Sequence, residues 1–306
     1  MTTLVSLVGE QPIPVLLPAR WLKPCRHVCV CTDRTRDIAR RVLARDAIPG
    51  DSIMLPDAYD VGSIYRTMSS RLVGAGPLSF NVTGGTKPMM LAANALALTS
   101  DAPIYYLQTE GPRHRQQSVL REYRMTDGVP VSVSRTELPS LLTLDDYLRG
   151  HLPDYETGRQ PGTEVLDAHA DTGLQFELAV AGALRDAVDE LMPSIRPQGV
   201  KDQLEIDLAI RCGNQVAILE VKRGGQGSYK HALDQLTTAG EPRYLGTYTN
   251  RFIVTGGAED QRYAAVAAAL RIPVISLRGY RGGQRLDTRS RQQLLARIGE
   301  YMPLRV

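Results

Sequence analysis

The chain has 306 residues, 43% of them hydrophobic and 23% charged, with a formal net charge of +3. That length suits two domains of ordinary size, and the composition excludes a disordered chain. No apolar run approaches the roughly 20 residues a membrane span needs, and the start MTTLVSLVGE lacks the basic region and cleavage site of a signal peptide, so a soluble, cytoplasmic protein with no membrane contact is expected.

The first half alternates two kinds of segment. TLVSLVG, HVCVCTD, DSIMLPD, LSFNVTGG and PIYYLQTE are short apolar runs of strand character, and RTRDIARRVLARD, VGSIYRTMSSRLV and KPMMLAANALALTS have helical periodicity. Strand and helix at this spacing predict βαβ units wound into an α/β, doubly wound, mostly parallel sheet. RQQSVLREYRM and VPVSVS predict a hairpin at its edge. Cys25, Cys29 and Cys31 crowd into or beside one strand and Cys212 falls at a turn; the spacing suits neither a disulfide framework nor zinc, and buried thiols are expected.

HLPDYETGRQPG, from His151, has a linker composition of prolines, glycines and charges. The expected organisation is a first domain over 1–142, a linker over 143–165 and a second domain over 166–306. The second domain opens on DTGLQFELAVAGALRDAVDEL, a predicted amphipathic helix. Two alternating runs, LEIDLAIR and QVAILEVK, follow, then a helix near YKHALDQL, the run RYLGTYTNRFIVTGG, an Ala-rich helix, the strand PVISL and an arginine-rich helix.

In LEIDLAIR, Glu205 and Asp207 share one face, and in the next run Glu220 and Lys222 do the same. If Gly213-Asn214 is a two-residue turn, Cys212 pairs with Gln215, which sets Asp207 opposite Glu220 and Glu205 opposite Lys222. Two like charges directly opposed destabilise a sheet unless something neutralises them. A divalent cation would, and hard oxygen ligands suit magnesium or manganese. Lys222 beside it can orient or deprotonate a water, or stabilise charge on a phosphate. The competing explanation is a solvated face on which Glu205 and Lys222 form a simple cross-strand ion pair. Lys230, His231 and Gln235 follow on a helix, where they could touch substrate or face solvent.

The run Asp207, then Glu220-Val221-Lys222, with Glu177 in the preceding GLQFELAV, resembles the PD-(D/E)xK nuclease superfamily, in which an acid ends one strand, (D/E)-x-K lies on the next and a helix often supplies a glutamate. The resemblance implies a restriction-endonuclease-like α/β domain, with Asp207, Glu220, Lys222 and Glu177 catalytic and Asp207, Glu220 and Glu177 as ligands of Mg or Mn.

A second motif is FNVTGGTKPMM. The strand runs through Thr83-Gly84-Gly85-Thr86-Lys87 into a helix, presenting backbone N–H groups to an anion, without the spacing of a triphosphatase P-loop. VSLVGEQPIP and CTDRTRD also follow strands, so the three loops converge at the carboxyl edge of the sheet. Together they resemble the Rossmann-like CARF domain, the sensor of cyclic oligoadenylates in CRISPR defence, in the subgroup with N-x-TGGTK after the fourth strand. The resemblance implies a ligand site built from Gly9, Glu10 and Gln11, from Thr32 and Asp33, and from Asn81, Thr83, Gly84, Gly85, Thr86 and Lys87.

A CARF sensor joined to a PD-(D/E)xK domain is similar to the CRISPR ancillary nucleases switched on by cyclic tetra-adenylate. That resemblance implies a homodimer clamping one ligand at its two-fold axis, which allosterically activates metal-dependent endonuclease action on DNA or RNA. The alternatives are a ring nuclease that degrades the cyclic oligoadenylate signal and a ligand-gated, non-catalytic nucleic-acid-binding regulator. Of the 36 basic residues only Lys23, Lys87, Lys201, Lys222 and Lys230 are lysine, and two of these five lie in the motifs above. The tail LRGYRGGQRLDTRSR carries Arg278, Arg281, Arg285, Arg289 and Arg291, either a phosphate-binding surface or a solvated basic face.

Overall fold

The protein is described here by a computed structural model covering residues 2–158, 172–198, 204–224, 228–241, 244–246, 248–258 and 261–305. It is a mixed α/β protein of two compact units. The first comprises Met1–Gly111, Gln117–Leu142 and Arg149–His151, and the second Pro112–Gln116, Thr143–Leu148 and Leu152–Val306.

The first unit carries β1 (Thr3–Leu7), α1 (Ile13–Leu22), β2 (Arg26–Cys31), α2 (Arg36–Arg45), β3 (Gly50–Met54), α3 (Val61–Arg71), β4 (Leu78–Asn81), α4 (Lys87–Ser100), β5 (Ile104–Glu110), β6 (Gln117–Thr126) and β7 (Val129–Glu137). The seven strands lie in the order β3-β2-β1-β4-β5-β6-β7. β1 to β5 are parallel, and β6 and β7 form the antiparallel hairpin at one edge that the sequence predicts. The order of winding reverses between β1 and β4, the switch point where doubly wound sheets leave a crevice beyond their strand ends.

Alternation along each strand divides the residues between the two faces. Val5, Leu7, Val28, Val30, Ile53 and Phe80 pack with Ile64 and Met68 of α3 and with Met89, Ala92, Ala93, Leu96 and Ala97 of α4. Helix α1 is not among the segments that periodicity singles out, because Pro12, Pro14 and Pro18 interrupt its pattern. Pro12 and Pro14 sit at its start, where missing N–H groups cost nothing, and Pro18 lies inside it.

Helix α5 (Leu144–His151) and strand β8 (Tyr155–Thr157) fall within 143–165, the stretch expected as linker; its residues 159–165 lie outside the described residues. The elements that follow are α6 (Thr172–Leu184), β9 (Glu190–Pro197), β10 (Ile206–Cys212), β11 (Gln215–Lys222), α7 (Ser228–Ala239), β12 (Asn250–Thr255), α8 (Gln261–Ala269), β13 (Val274–Ser276) and α9 (Thr288–Gly299). The second sheet runs β13-β12-β11-β10-β9-β8, antiparallel from β8 to β11 and parallel beyond.

The helix predicted over Asp171–Leu191 ends at Leu184, and Glu190 and Leu191 belong to β9 instead. Its buried residues Phe176, Ala179, Val180, Ala181, Ala183 and Leu184 join Leu208, Ile210, Leu219, Val221 and Phe252 in one core. All four cysteines are free; Cys29, Cys31 and Cys212 are buried, but Cys25 is exposed, because it precedes β2 rather than lying in it.

Candidate functional site

The turn at Gly213-Asn214 sets the geometry of the second unit. Cys212 pairs with Gln215 and each pair follows in register to Leu208 with Leu219, so Asp207 and Glu220 come next on the two strands. Both are buried, at 8% and 1% exposed. Lys222 closes the group: its Nζ lies 2.6 Å from Glu220 Oε1 and 3.2 Å from Asp207 Oδ2, while the Val221 N–H donates to Asp207 Oδ2 at 2.7 Å.

Glu205 does not join Lys222. Strand β10 begins at Ile206, and Glu205 accepts from Arg196 of β9 at 2.8 and 3.1 Å. The expected cross-strand pair is therefore replaced by an exposed ion pair, and Lys222 is left to the two buried acids.

One ammonium serves two carboxylates, and the protonation states show the strain. Burial, then the neighbouring Asp207 charge, pushes the Glu220 carboxyl up to about 8, with Glu177 of α6 adding a further like charge. Burial also raises Asp207, against the pull of Lys222. Burial opposes the charge on Lys222, but Glu220 and Asp207 outweigh it and hold the ammonium more firmly protonated than usual.

Gln235 of α7 also reaches this centre. With its amide assigned so that the nitrogen faces acceptors, it donates to Glu220 Oε1 at 3.3 Å and to the Glu205 carbonyl at 2.6 Å. Lys230 and His231, on the same helix, are exposed.

Among the described residues no three His, Cys, Asp or Glu side chains stand at metal-holding spacing, so Asp207, Glu220 and Glu177 are not gathered into a three-carboxylate cluster. The two opposed carboxylates still match a cation such as magnesium, which takes one or two carboxylates and keeps several waters.

The arginine-rich tail is anchored beside this centre. The Tyr280 ring centroid lies 4.6 Å from that of Phe176, the neighbour of Glu177, and the guanidinium of Arg223, next in chain to Lys222, stands over the Tyr280 ring at 5.7 Å from its centroid. Arg278, Arg281, Arg285, Arg289 and Arg291 are all exposed, and none forms an ion pair with a described carboxylate.

In the first unit the three loops stand where their strands end. Gly9, Glu10 and Gln11 follow β1, and Thr83 to Lys87 follow β4, across the switch point. A Cβ on Gly84 would meet the Leu7 carbonyl oxygen at 2.4 Å and one on Gly9 would meet Gly85 N at 3.1 Å, so these two loops touch through backbone. Gly85 has φ +74, a conformation L side chains resist. Thr86 caps α4, accepting from Met89 N at 3.3 Å and donating to the Ala58 carbonyl at 2.7 Å. Lys87, the first residue of this 14-residue helix, is exposed.

Thr32 and Asp33 follow β2. The Thr32 N–H donates to Thr35 Oγ1 at 3.1 Å, Asp33 pairs with Arg36, and Glu10 pairs with Arg34 of the same loop. Gln11 Oε1 lies 3.4 Å from His151 Nε2. Asn81, by contrast, is fully buried and its side chain is spent inside the unit.

The succession of a doubly wound unit and a mixed sheet is a fold shared with solved proteins over nearly the whole chain. Can2 from Sulfobacillus thermosulfidooxidans, solved in complex with cyclic tetra-adenylate, is similar at a TM-score of 0.73 and 15% identity, covering 97% of this chain and 99% of Can2. VC1899 from Vibrio cholerae is similar at 0.69 and 12%, covering 98% of this chain and 97% of its own. A type III CRISPR defence DNA nuclease activated by cyclic oligoadenylate is similar at 0.61 and 17%, covering 96% of this chain but 51% of that one. At these identities the likeness is one of fold. No model of a known family and no curated protein matches the chain by sequence.

Proposed function

We propose that this protein is a cyclic oligoadenylate-activated, metal-dependent endonuclease of type III CRISPR antiviral defence, with a CARF sensor in its first unit and a PD-(D/E)xK nuclease in its second. The observation that carries the reading is the buried pair Asp207 and Glu220 sharing the single ammonium of Lys222. A purely structural sheet gains nothing from two opposed, buried acids, and charged groups so perturbed cluster at functional sites. Two of the similar folds belong to proteins described with cyclic tetra-adenylate or with activation by cyclic oligoadenylate, which favours the same ligand here.

In this reading Asp207 and Glu220 would hold Mg or Mn, with Glu177 of α6 a further acidic charge near Glu220 rather than a gathered third ligand, and a bound ion would supply Lewis-acid polarisation of the scissile phosphate and a more acidic water. To hold such an ion Glu220 would have to be the ionised carboxylate. Lys222, beside both acids, would supply positive charge to the phosphate, and Gln235 would steady Glu220. The exposed arginines anchored through Tyr280 hold the backbone of DNA or RNA. In the sensor, Gly9, Glu10, Gln11, Thr32, Asp33, Thr83, Gly84, Gly85, Thr86 and Lys87 of two protomers receive one cyclic tetra-adenylate on the two-fold axis, with Asn81 shaping the turn from beneath. Ligand binding then shifts the paired nuclease units toward the competent arrangement.

Substitution separates the two halves. Asp207→Asn and Glu220→Ala should abolish metal-dependent cleavage while leaving calorimetric affinity for cyclic tetra-adenylate within about twofold. Lys222→Arg should also impair cleavage, because a planar guanidinium does not replace a compact ammonium between two acids. Full cleavage by Glu220→Ala would refute the site.

A further inference from the structure

The first unit holds a buried polar chain of which the proposed mechanism uses only the last member, Asn81. Ser6, His27 and Asn81 are each 0% exposed, and they lie on the sheet face opposite Val5, Val28 and Phe80. Asp46, just after α2, places Oδ2 2.5 Å from His27 Nδ1, and His27 Nε2 lies 2.9 Å from Ser6 Oγ. Asn81 Nδ2 donates to Ser6 Oγ at 3.4 Å and to the Pro14 carbonyl at 2.9 Å. That carbonyl is available because Pro18, four residues on, has no N–H to give it. Asn81 Oδ1 accepts from Thr83 N at 3.2 Å and from Thr83 Oγ1 at 2.6 Å, and Thr83 Oγ1 accepts from Leu107 N at 2.8 Å.

These bonds have one consistent direction. Both donors of the Asn81 amide and both lone pairs of its oxygen are used; Ser6 Oγ accepts from Asn81, and among its described partners His27 Nε2 is the one acceptor left for its own proton. His27 is then the neutral Nδ1–H tautomer, donating to the Asp46 carboxylate. The other titratable groups nearby, Cys29 at 3.9 Å from Nε2 and, further out, Asp51 and Cys31, do not interrupt the run. With a proton on Nε2, the Ser6 hydroxyl would lose its acceptor.

We propose that Ser6, His27 and Asp46 are positioning residues: through Asn81 they preset the Thr83–Lys87 turn at the switch point to receive its anionic ligand. For the ligand's identity this rests on the sensor reading above; for the order of the turn it does not. Burial excludes the Asp-His-Ser set from catalysis, since no substrate reaches a serine that is 0% exposed. A network of this length is retained where it fixes one arrangement of the atoms at its end, and here the end is the turn.

Three readings test it. In the wild type, nitrogen-15 imidazole spectra should show His27 as the neutral Nδ1–H tautomer; an Nε2–H tautomer or an imidazolium at neutral pH overturns the chain without any variant. In Ser6→Ala, amide exchange at Leu107, which reports the Thr83 contact, should accelerate about tenfold, while exchange at Phe80, paired to Pro103 in the β4–β5 ladder, stays unchanged. Equal acceleration at both positions would mean general stabilisation only, and no change at either would mean no role; both overturn the proposal. Cyclic tetra-adenylate should bind Ser6→Ala about tenfold more weakly, and unchanged affinity overturns the link to the ligand. If the wild type binds none, the sensor reading fails, and the tautomer and exchange results still decide whether the chain orders the turn.

Discussion

Glu220 shows what one residue's surroundings do to its chemistry. A carboxyl raised to about 8 by burial binds its proton more tightly folded than unfolded. The unfolded state therefore carries fewer protons, and stability falls as pH rises. Its stabilising contribution is complete below the ordinary carboxylate range and is lost as pH climbs through about 8. The melting temperature of the metal-free protein should fall between pH 6 and pH 9, Glu220→Gln should flatten that fall, and added Mn should reverse it by taking the proton's place. A melting temperature that rises over this range would contradict the environment described for Glu220. The pairing of Asp207 with Glu220 was legible in the sequence because a two-residue turn fixes every partner beyond it. The Glu205 partner was not: Arg196 lies on β9, where Pro193, Pro197 and the left-handed Ser194, φ 49, hide the strand pattern.

Elements act through how closely they approach. Gly84 lies so near the Leu7 carbonyl that a methyl group forces β1 and the β4–α4 turn apart, a cost of about 1–3 kcal/mol for overpacking. Gly84→Ala should lower the melting temperature and weaken cyclic tetra-adenylate binding together, whereas a loss of binding at unchanged stability would argue against this backbone contact. TGGTK could be read as an anion-binding turn from its glycines and the helix after it. The polar chain beneath could not, since residues 6, 27, 46 and 81 follow no local period and meet only once the sheet is wound. In the second unit, the arginine loop is held by Tyr280 against Phe176 and Arg223, beside the candidate centre rather than remote from it. Arg281→Ala with Arg285→Ala should weaken nucleic-acid binding and reduce the salt slope by about two; an unchanged slope would mark a solvated face. The sequence showed the arginines, but not the aromatic anchor that aims them.

At the scale of the whole molecule, the proposed sensor and cutter would be useful in one chain only if coupled, and the alternation of strands and helices in the first half was enough to foresee a doubly wound sheet. The proposed coupling would depend on two protomers and a symmetric ligand, which no single-chain pattern displays. The decisive measurement is cleavage of labelled plasmid, single-stranded DNA and RNA while cyclic tetra-adenylate is titrated with Mn present or absent. At least one substrate should be cut only when ligand and metal are both supplied. The activation curve of Lys87→Ala should move to at least about 100-fold higher ligand, because each protomer loses a charge-assisted contact. Cleavage independent of the ligand, or none on any substrate with both present, would contradict a ligand-gated nuclease.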